Sequence, residues 1–472
     1  MKKFIIISLI TVMVAGAAFA DTAGGISINA WGRGSFSPLT LQTAPKVYGD
    51  AVPDDITPTD DAKGRVYAGS GATWGADLIR TDFRVNGDAE FIGFTIGLTE
   101  SSAVDLFNNF AGNDNKANIW AKPFESDILK LIVGRYTEDT LRGKIGNLDG
   151  GFSNFVAGCS VTEEDAIFMR FTTSYGERRF WDNAEHGWGS SEGGFMVSSA
   201  PIEGLFIGVN VITDGWYKRF SLDPNDDSWD NSLQAADLYR FIQIGAGYEI
   251  ADIGHIRAQF IGGYLGKYDN DKIKDKYVEK YFETPDAGLP ARIEAAFALT
   301  AVENLLVDLG LRFWLPVEFS NAKVKHSKGI EAHVGAQFNA DALGIGARID
   351  ATGLGAYTGR NTEGDTKKTD PMSIGVRVVP TFALDAFTIG ADIGFGITAG
   401  GKAHNGDKIE SSTVGLGFGA FIMKGLGNGN VKAGVTFTTA DIRKDKFGDE
   451  TKSGACGTGI LQIPIILEYA FF

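Results

Sequence analysis

The chain has 472 residues, a formal net charge of −15, 44% hydrophobic and 22% charged residues, and 62 glycines. That acid excess excludes a protein that grips nucleic acid by its phosphates, which needs a basic face. Beyond the N-terminus no stretch reaches the ~18 consecutive apolar residues of a membrane helix, and a mean hydropathy of −0.04 is low for a helical membrane protein.

Met1–Ala20 reads as a secretory signal. Lys2 and Lys3 give the positive start, Phe4–Ala15 the apolar core, and Ala18-Phe19-Ala20 a cleavage site between Ala20 and Asp21. Loss of the two lysines takes the net charge from −15 to −17. Residues 21–472 then read as one unit, because a single pattern repeats along them: an alternating apolar strand, a short turn, and a second alternating strand.

The first strand begins at Ile26, Ile28 and Ala30, which leaves no room before it for a plug domain. Ile79–Val85 turn at Asn86-Gly87-Asp88 into Ile92–Leu98. Weaker hairpins sit at Pro123–Asp127 and Pro201–Gly204. Ile242–Ile250 turn at Ala251–Gly254 into Ile256–Phe260. The clearest copy is Ile293, Ala295, Phe297 and Leu299, a turn at Ala301–Asn304, then Leu305, Val307, Leu309, Leu311 and Phe313. The residues between are charged or small. A period of two puts one set on each face of a sheet, greasy on one side and polar on the other. Further hairpins turn at Asn339–Asp341, Leu384–Ala386 and Lys424–Asn430.

Long polar stretches alternate with these turns: Pro38–Ala72, Tyr136–Glu192, Asp214–Ala236, Lys267–Pro290, Gly353–Asp370, Gly400–Glu410 and Asp441–Gly457. A soluble sandwich also alternates, but it has no reason to sort its connections by length. The strands also run nearer the ~9–11 residues of a tilted membrane-spanning strand. The reading is all-β: a transmembrane antiparallel up-and-down barrel with short periplasmic turns and long extracellular loops. About 18 strands are expected, or about 16 if one hairpin is fused.

Leu461, Ile463, Ile465, Leu467, Tyr469 and Phe471 alternate up to Phe472. This closing strand resembles that of bacterial outer-membrane β-barrel proteins. There a terminal aromatic, with another two residues earlier, is the signal read by the barrel-assembly machinery. The resemblance implies outer-membrane lipid as the solvent of the wall, the cell outer membrane as location, and Tyr469, Phe471 and Phe472 as the assembly signal. Here the register ends on Phe471, with Phe472 one residue extra.

The longest connection, 137–192, follows the fifth strand (Leu129, Leu131, Val133). It resembles the third loop of general porins, which folds inward and narrows the pore. Glu138, Asp139, Arg142, Glu163, Glu164, Asp165, Glu177, Arg178 and Arg179 are its constriction candidates; an exposed lid or an oligomer contact is the plainer alternative. The porin resemblance implies passive passage of ions and small hydrophilic solutes, no cofactor and no nucleic-acid partner, and it allows a homotrimer.

Lumen parity falls on Arg33, Arg80, Arg84, Arg257, Arg292, Arg312, Arg348 and Arg377, and on Asp82, Glu249, Glu294, Asp308, Glu331, Asp350, Asp392 and Glu468. Two uses are open. They can satisfy one another in ion-pair ladders, or some arginines can face the acidic third loop and set a field across the passage. Glycines of the same parity, such as Gly344, Gly346, Gly394, Gly415 and Gly417, read as tightly paired inward positions, and Gly394→Ser or Gly310→Ser should cost less than Arg at Phe395 or Leu309 on the lipid face.

Metal binding is not expected. Asp223-x-Asn225-x-Asp227 lacks the sixth-position glycine and twelfth-position glutamate of a calcium loop. Cys159 and Cys456 both fall on the long-loop side, where an oxidising envelope permits a disulfide. An enzyme would need a histidine with a nucleophile; of five histidines only His333 points lumenward in mid-strand, with no nucleophile motif. The expectation is therefore a non-enzyme, with surface display of the acidic loops as an alternative to a channel. The barrel reading predicts heat-modifiable migration: fast on a gel unboiled, slower when boiled. Recovery as a detergent-free soluble monomer would contradict it.

Overall fold

A computed structural model describes residues 25–42, 65–69, 79–100, 116–138, 171–172, 194–212, 242–262, 266–268, 291–319, 324–360, 368–369, 372–399, 413–439 and 459–471. Most of them lie in one antiparallel sheet of 20 strand segments. In chain order its wall strands are β1 (Gly25–Gln42), β2 (Ile79–Asp88), β3 (Ile92–Glu100), β4 (Lys116–Ala121), β5 (Lys130–Arg135) and β6 (Gly194–Ser199). Then come β7 (Leu205–Ile212), β8 (Ile242–Ile250), β9 (Gly254–Ile261), β10 (Arg292–Val302), β11 (Leu305–Trp314) and β12 (Ile330–Ala340). The set ends with β13 (Leu343–Leu354), β14 (Met372–Ala383), β15 (Thr388–Ala399), β16 (Thr413–Leu426), β17 (Gly429–Thr439) and β18 (Gly459–Gln462 with Ile465–Phe471).

Two of the 20 segments are not separate staves: Arg65–Gly69 pairs with the far end of β1, and β18 is one strand in two segments, so the wall counts 18. Each strand pairs with its sequence neighbours. β1 pairs with β2 on one side and with β18 on the other, Arg33 standing opposite both Arg80 and Glu468. Among the described residues the sheet therefore closes on itself, with each wall strand paired on both sides. Closure is what an all-β chain needs in hydrocarbon, where an unpaired edge amide has no water to turn to.

The seam carries both of its irregularities at prolines. Pro464 interrupts β18, and β1 shifts register between Ser37 and Thr40, around Pro38. The strands stay stitched there: Ile463 N–H donates to the Leu39 carbonyl at 3.0 Å, and Gly434 N–H donates to the Pro464 carbonyl at 3.1 Å.

Short turns alternate with long connections around the whole ring. Four turns hold a non-glycine residue in the left-handed region: Glu125 (φ 53°), Asp252 (φ 60°), Asn304 (φ 63°) and Asp341 (φ 49°). Asn and Asp are the residues that tolerate it best. At the opposite end three long connections zip together. Gly266–Tyr268 lies parallel to Val317–Phe319, which continues through Val324–Ser327 and Tyr357–Arg360 to Lys368–Thr369.

The period of two settles which face is which. On β10 and β11 Arg292, Glu294, Asp308 and Arg312 are buried, while Ile293, Leu309, Leu311 and Phe313 are exposed. Leu311 at 56%, Leu416 at 52% and Phe418 at 52% stand on the outer face with similar side chains around the ring. A water-soluble monomer rarely exposes a contiguous apolar surface of this extent. A barrel wall in lipid does.

Two expectations need correction. The segment Pro38–Ala72 is not wholly loop, since β1 runs on to Gln42 and Arg65–Gly69 pairs beside it. Proline in mid-pattern looked like a boundary, but the register shift absorbs it. Nor does Gly310 have space for the Ser expected to be mild there: a Cβ would lie 2.5 Å from His333 Cε1. The signal segment lies outside the described residues. So do Ala20, Asp21, Cys159, Cys456 and Phe472.

Leu309→Arg should cost about 2–4 kcal/mol if the site lies near the bilayer midplane, read from urea midpoints of protein folded into vesicles. Gly310→Ala, which forces the His333 ring aside, should also be destabilising, whereas Gly425→Ala, with open space around it, should change little. Equal midpoints for all three would refute the inside/outside assignment.

Candidate functional site: the charged inner wall

Inward-facing charges concentrate on β9 to β15, because those strands carry Arg, Asp or Glu at alternate positions between outward Ile, Leu and Phe. The register then decides who meets whom. Gln259, Glu294, Arg312 and Glu331 fall on one row across β9 to β12. Gln259 Nε2 donates to Glu294 Oε2 at 2.7 Å, and Arg312 Nε donates to Glu294 Oε1 at 2.6 Å. Arg292 Nε reaches the same Oε1 at 3.1 Å. Arg312 Nη1 continues the row to Glu331 Oε2 at 2.5 Å, whose other oxygen accepts from Trp314 Nε1 at 3.1 Å. The Trp314 ring is ringed by cations, with Arg292, Arg312 and Lys328 at 5.0, 5.7 and 5.4 Å from its centroid. Indole faces attract cations by their quadrupole, so the ring holds like charges together.

A second row uses small residues as space. Arg257 on β9 reaches Asp308 on β11, crossing β10, whose inward residues there are Ala296 and Ala298. Its Nη2 donates to Asp308 Oδ1 at 2.7 Å, with both side chains fully buried. Arg348 and Arg377 stand directly opposite each other on β13 and β14. Like charges in that relation repel, and each has its own acid. Arg348 Nε donates to Asp350 Oδ1 at 2.7 Å; Arg377 donates to both oxygens of Asp392 at 2.8 and 2.5 Å. The fork-on-fork geometry of the latter is the stronger kind.

On the other flank the inner wall changes character. Ile132, Tyr136 and Met196 form a buried cluster with Trp120 and Phe206 against it, and Ala296 of β10 joins them from the charged side. The Trp120 ring lies over Gly93, where a Cβ would stand 2.6 Å from two ring carbons. The Tyr136 hydroxyl donates to Asn210 Oδ1, and Asn210 Nδ2 donates to Gln243 Oε1 at 2.9 Å. These apolar and amide residues also share lumen parity, a set that a search for charges passes over.

Arg84 is different again. It is exposed, with Asn86, Thr95 and Asn118 near it only half-buried. It lies four residues from the end of β2, as Asp392 does from the start of β15, yet Asp392 is fully buried. The inner wall thus has a closed charged side and an open side.

A closed wall with lipid-facing apolar residues outside and paired ions inside admits one class of protein. The chain is an outer-membrane β-barrel protein. No family model matches it, and no curated protein does. Among solved structures the barrel is similar to Salmonella typhi OmpF in complex with daunomycin, at 11% identity, 94% of this chain, 97% of that one and a TM-score of 0.41. It is also similar to an anion-selective porin from Comamonas acidovorans, at 12% identity, 94% and 100% coverage and a TM-score of 0.43. OmpT, an outer membrane protein of Vibrio cholerae, shares 10% identity over 96% and 99% of the chains, with a TM-score of 0.39. At these identities no residue role passes from them to this barrel.

Of the residues expected from sequence, Arg257, Arg292, Glu294, Asp308, Arg312, Glu331, Arg348, Asp350, Arg377 and Asp392 come together as mutual pairs. Arg33, Arg80, Asp82 and Glu468 hold lumen-parity register positions. Glu249 is exposed at the turn end. Glu138 lies in a two-residue strand, Thr137–Glu138, paired with Phe171–Thr172. Asp139, Arg142, Glu163, Glu164, Asp165, Glu177, Arg178 and Arg179 lie outside the described residues. Tyr469 faces outward at 49% exposure.

Asp392→Asn leaves Arg377 buried with half its fork unmet, and removing one partner of a buried pair costs about 3–5 kcal/mol. The matching change at the exposed pair Lys122–Asp127, Asp127→Asn, should cost at most about 1 kcal/mol. Denaturation midpoints in vesicles compare them; equal losses would mean that the inner pairs are solvated.

Proposed function

We propose that this outer-membrane barrel is a porin-like channel for passive diffusion of ions and small hydrophilic solutes, with a weak preference for cations. One observation carries the reading: a wall of 18 strands, counted from the strand pairings, encloses a polar face on which Arg84 is exposed while the opposite charges neutralise one another. A barrel of ~16–18 strands is wide enough for an aqueous passage. In this reading solutes pass along the β1–β4 side, and the 137–192 connection narrows the way. In this reading the channel has no enzymatic role, and its build allows a homotrimer.

Cation preference follows from where unpaired charge sits. The inner-wall ions of β9 to β15 are largely cancelled at contact distance. The short-turn rim is net acidic: Glu90, Glu125, Glu203, Asp252, Glu303, Asp341 and Asp385 are exposed across the first seven turns, against Lys122, which pairs with Asp127, and Lys130 and Lys424. A mouth lined by one sign of charge concentrates counter-ions, and acidic rings favour cations. Exposed charge is also screened, over ~10 Å at 0.1 M salt and ~3 Å at 1 M, so the preference stays weak.

Reversal potentials in planar bilayers test this. Arg84→Gln should move selectivity further toward cations, the joint change Glu203→Gln with Glu303→Gln should move it back by less, and both effects should fade between 0.1 and 1 M salt. A folded barrel that conducts nothing would shift the reading to surface display of the acidic loops.

A further inference from the structure

We propose that His333 is a proton-binding switch in the inner wall, its charge state setting how strongly the passage favours cations. The proposal rests on the channel reading for its consequence, but the proton site stands on geometry alone.

His333 points inward from the middle of β12, and its side chain is 3% exposed. Among the described residues neither Nδ1 nor Nε2 has a hydrogen-bond partner. A buried polar atom left unbonded costs about 1–3 kcal/mol, so a partner gained by either imidazole nitrogen is favourable there. Its seat is built: Gly310, directly opposite on β11, has no side chain, and the ring occupies the space a Cβ would take. The carboxylate of Asp308 is divided beside it. Oδ1 accepts from Arg257, while Oδ2 faces His333 Nε2 at 3.7 Å, too far for a hydrogen bond and close enough to become one.

The charges facing the ring come from every neighbouring strand. β11 supplies Asp308 and Arg312, β13 supplies Asp350 directly opposite and Arg348, and β9 supplies Arg257 through Asp308. His333's own strand adds Glu331, held by Arg312. These are three ion pairs, Arg257–Asp308, Arg312–Glu331 and Arg348–Asp350, so the set is neutral while the imidazole is neutral. Taking one proton from water makes it +1. The new N–H then gains a charge-assisted bond to Asp308 Oδ2, and that carboxylate is shared by two cations. Imidazole is the side chain whose charge changes between pH 5 and 8. One positive charge added to a balanced wall raises the potential across the lumen, and that opposes cation entry along the β1–β4 side.

Two measurements test the site. In a barrel whose other histidines are replaced (H186Q, H255Q, H326Q, H404Q), the ring of His333 is followed by histidine-labelled NMR from pH 8 to pH 5. A single titration in that range is expected, and a ring that never changes charge overturns the site. In planar bilayers the same protein should lose part of its cation preference as pH falls, in one step at the NMR midpoint. His333→Gln should hold the high-pH selectivity throughout. A step that persists in folded His333→Gln, or is missing where the ring titrates, overturns the switch. If His333→Gln does not fold, the single-histidine barrel decides alone. A barrel that titrates but passes no current would defeat the channel reading and leave the proton site standing.

Discussion

A backbone amide in hydrocarbon has no water to bond, and each unmet group costs several kcal/mol. In this chain that constraint is met by pairing every wall strand on both sides, and the last demand falls on the seam between β1 and β18. Two prolines lie there, each lacking the N–H a ladder expects. The register shift around Pro38 and the interruption at Pro464 set both where their neighbours can still bond across. With the seam closed there is an inside and an outside, and all else in the molecule follows from that division.

The inside shows how a wall tolerates buried ions. Isolated charges taken out of water are costly, and an ion pair offsets that cost only with good geometry and further hydrogen bonds. Between β9 and β15 the wall gives each buried arginine a carboxylate at bonding distance and uses small residues to bring them together. Ala296 and Ala298 let Arg257 cross a whole strand to Asp308, and Gly310 seats a histidine. The consequence for function is that the many arginines do not act as a field of bare cations. Free charge is left at Arg84 and on the acidic short-turn rim.

The outside is simpler. Apolar side chains recur at every second position, and lipid asks nothing more of them than the absence of charge. That is why the outer face was the more legible one. Ile293, Leu309 and Phe395 could be assigned from alternation alone, and the structure leaves all three exposed on the lipid side. The inner face was legible only as a set of candidates. Parity names Arg377 and Asp392 as inward, but their fork depends on the register set by the turn between Ala383 and Thr388, outside either residue's own strand pattern.

By itself, then, the sequence determined the architecture: the period of two, the alternation of short turns with long connections, and the aromatic-ended strand specify a closed wall of about 18 staves. Those are local features, and each is written within about ten residues of chain. Tertiary structure decided the pairing. That Arg257 meets Asp308 rather than its row neighbour, that the Asp308 carboxylate is divided, and that the His333 ring sits over Gly310 all require contacts between strands whose relative slip no single strand encodes. A one-residue slip would turn every inward side chain outward, and a two-residue slip would keep the faces but change every partner. Alternation fixes the first and is blind to the second.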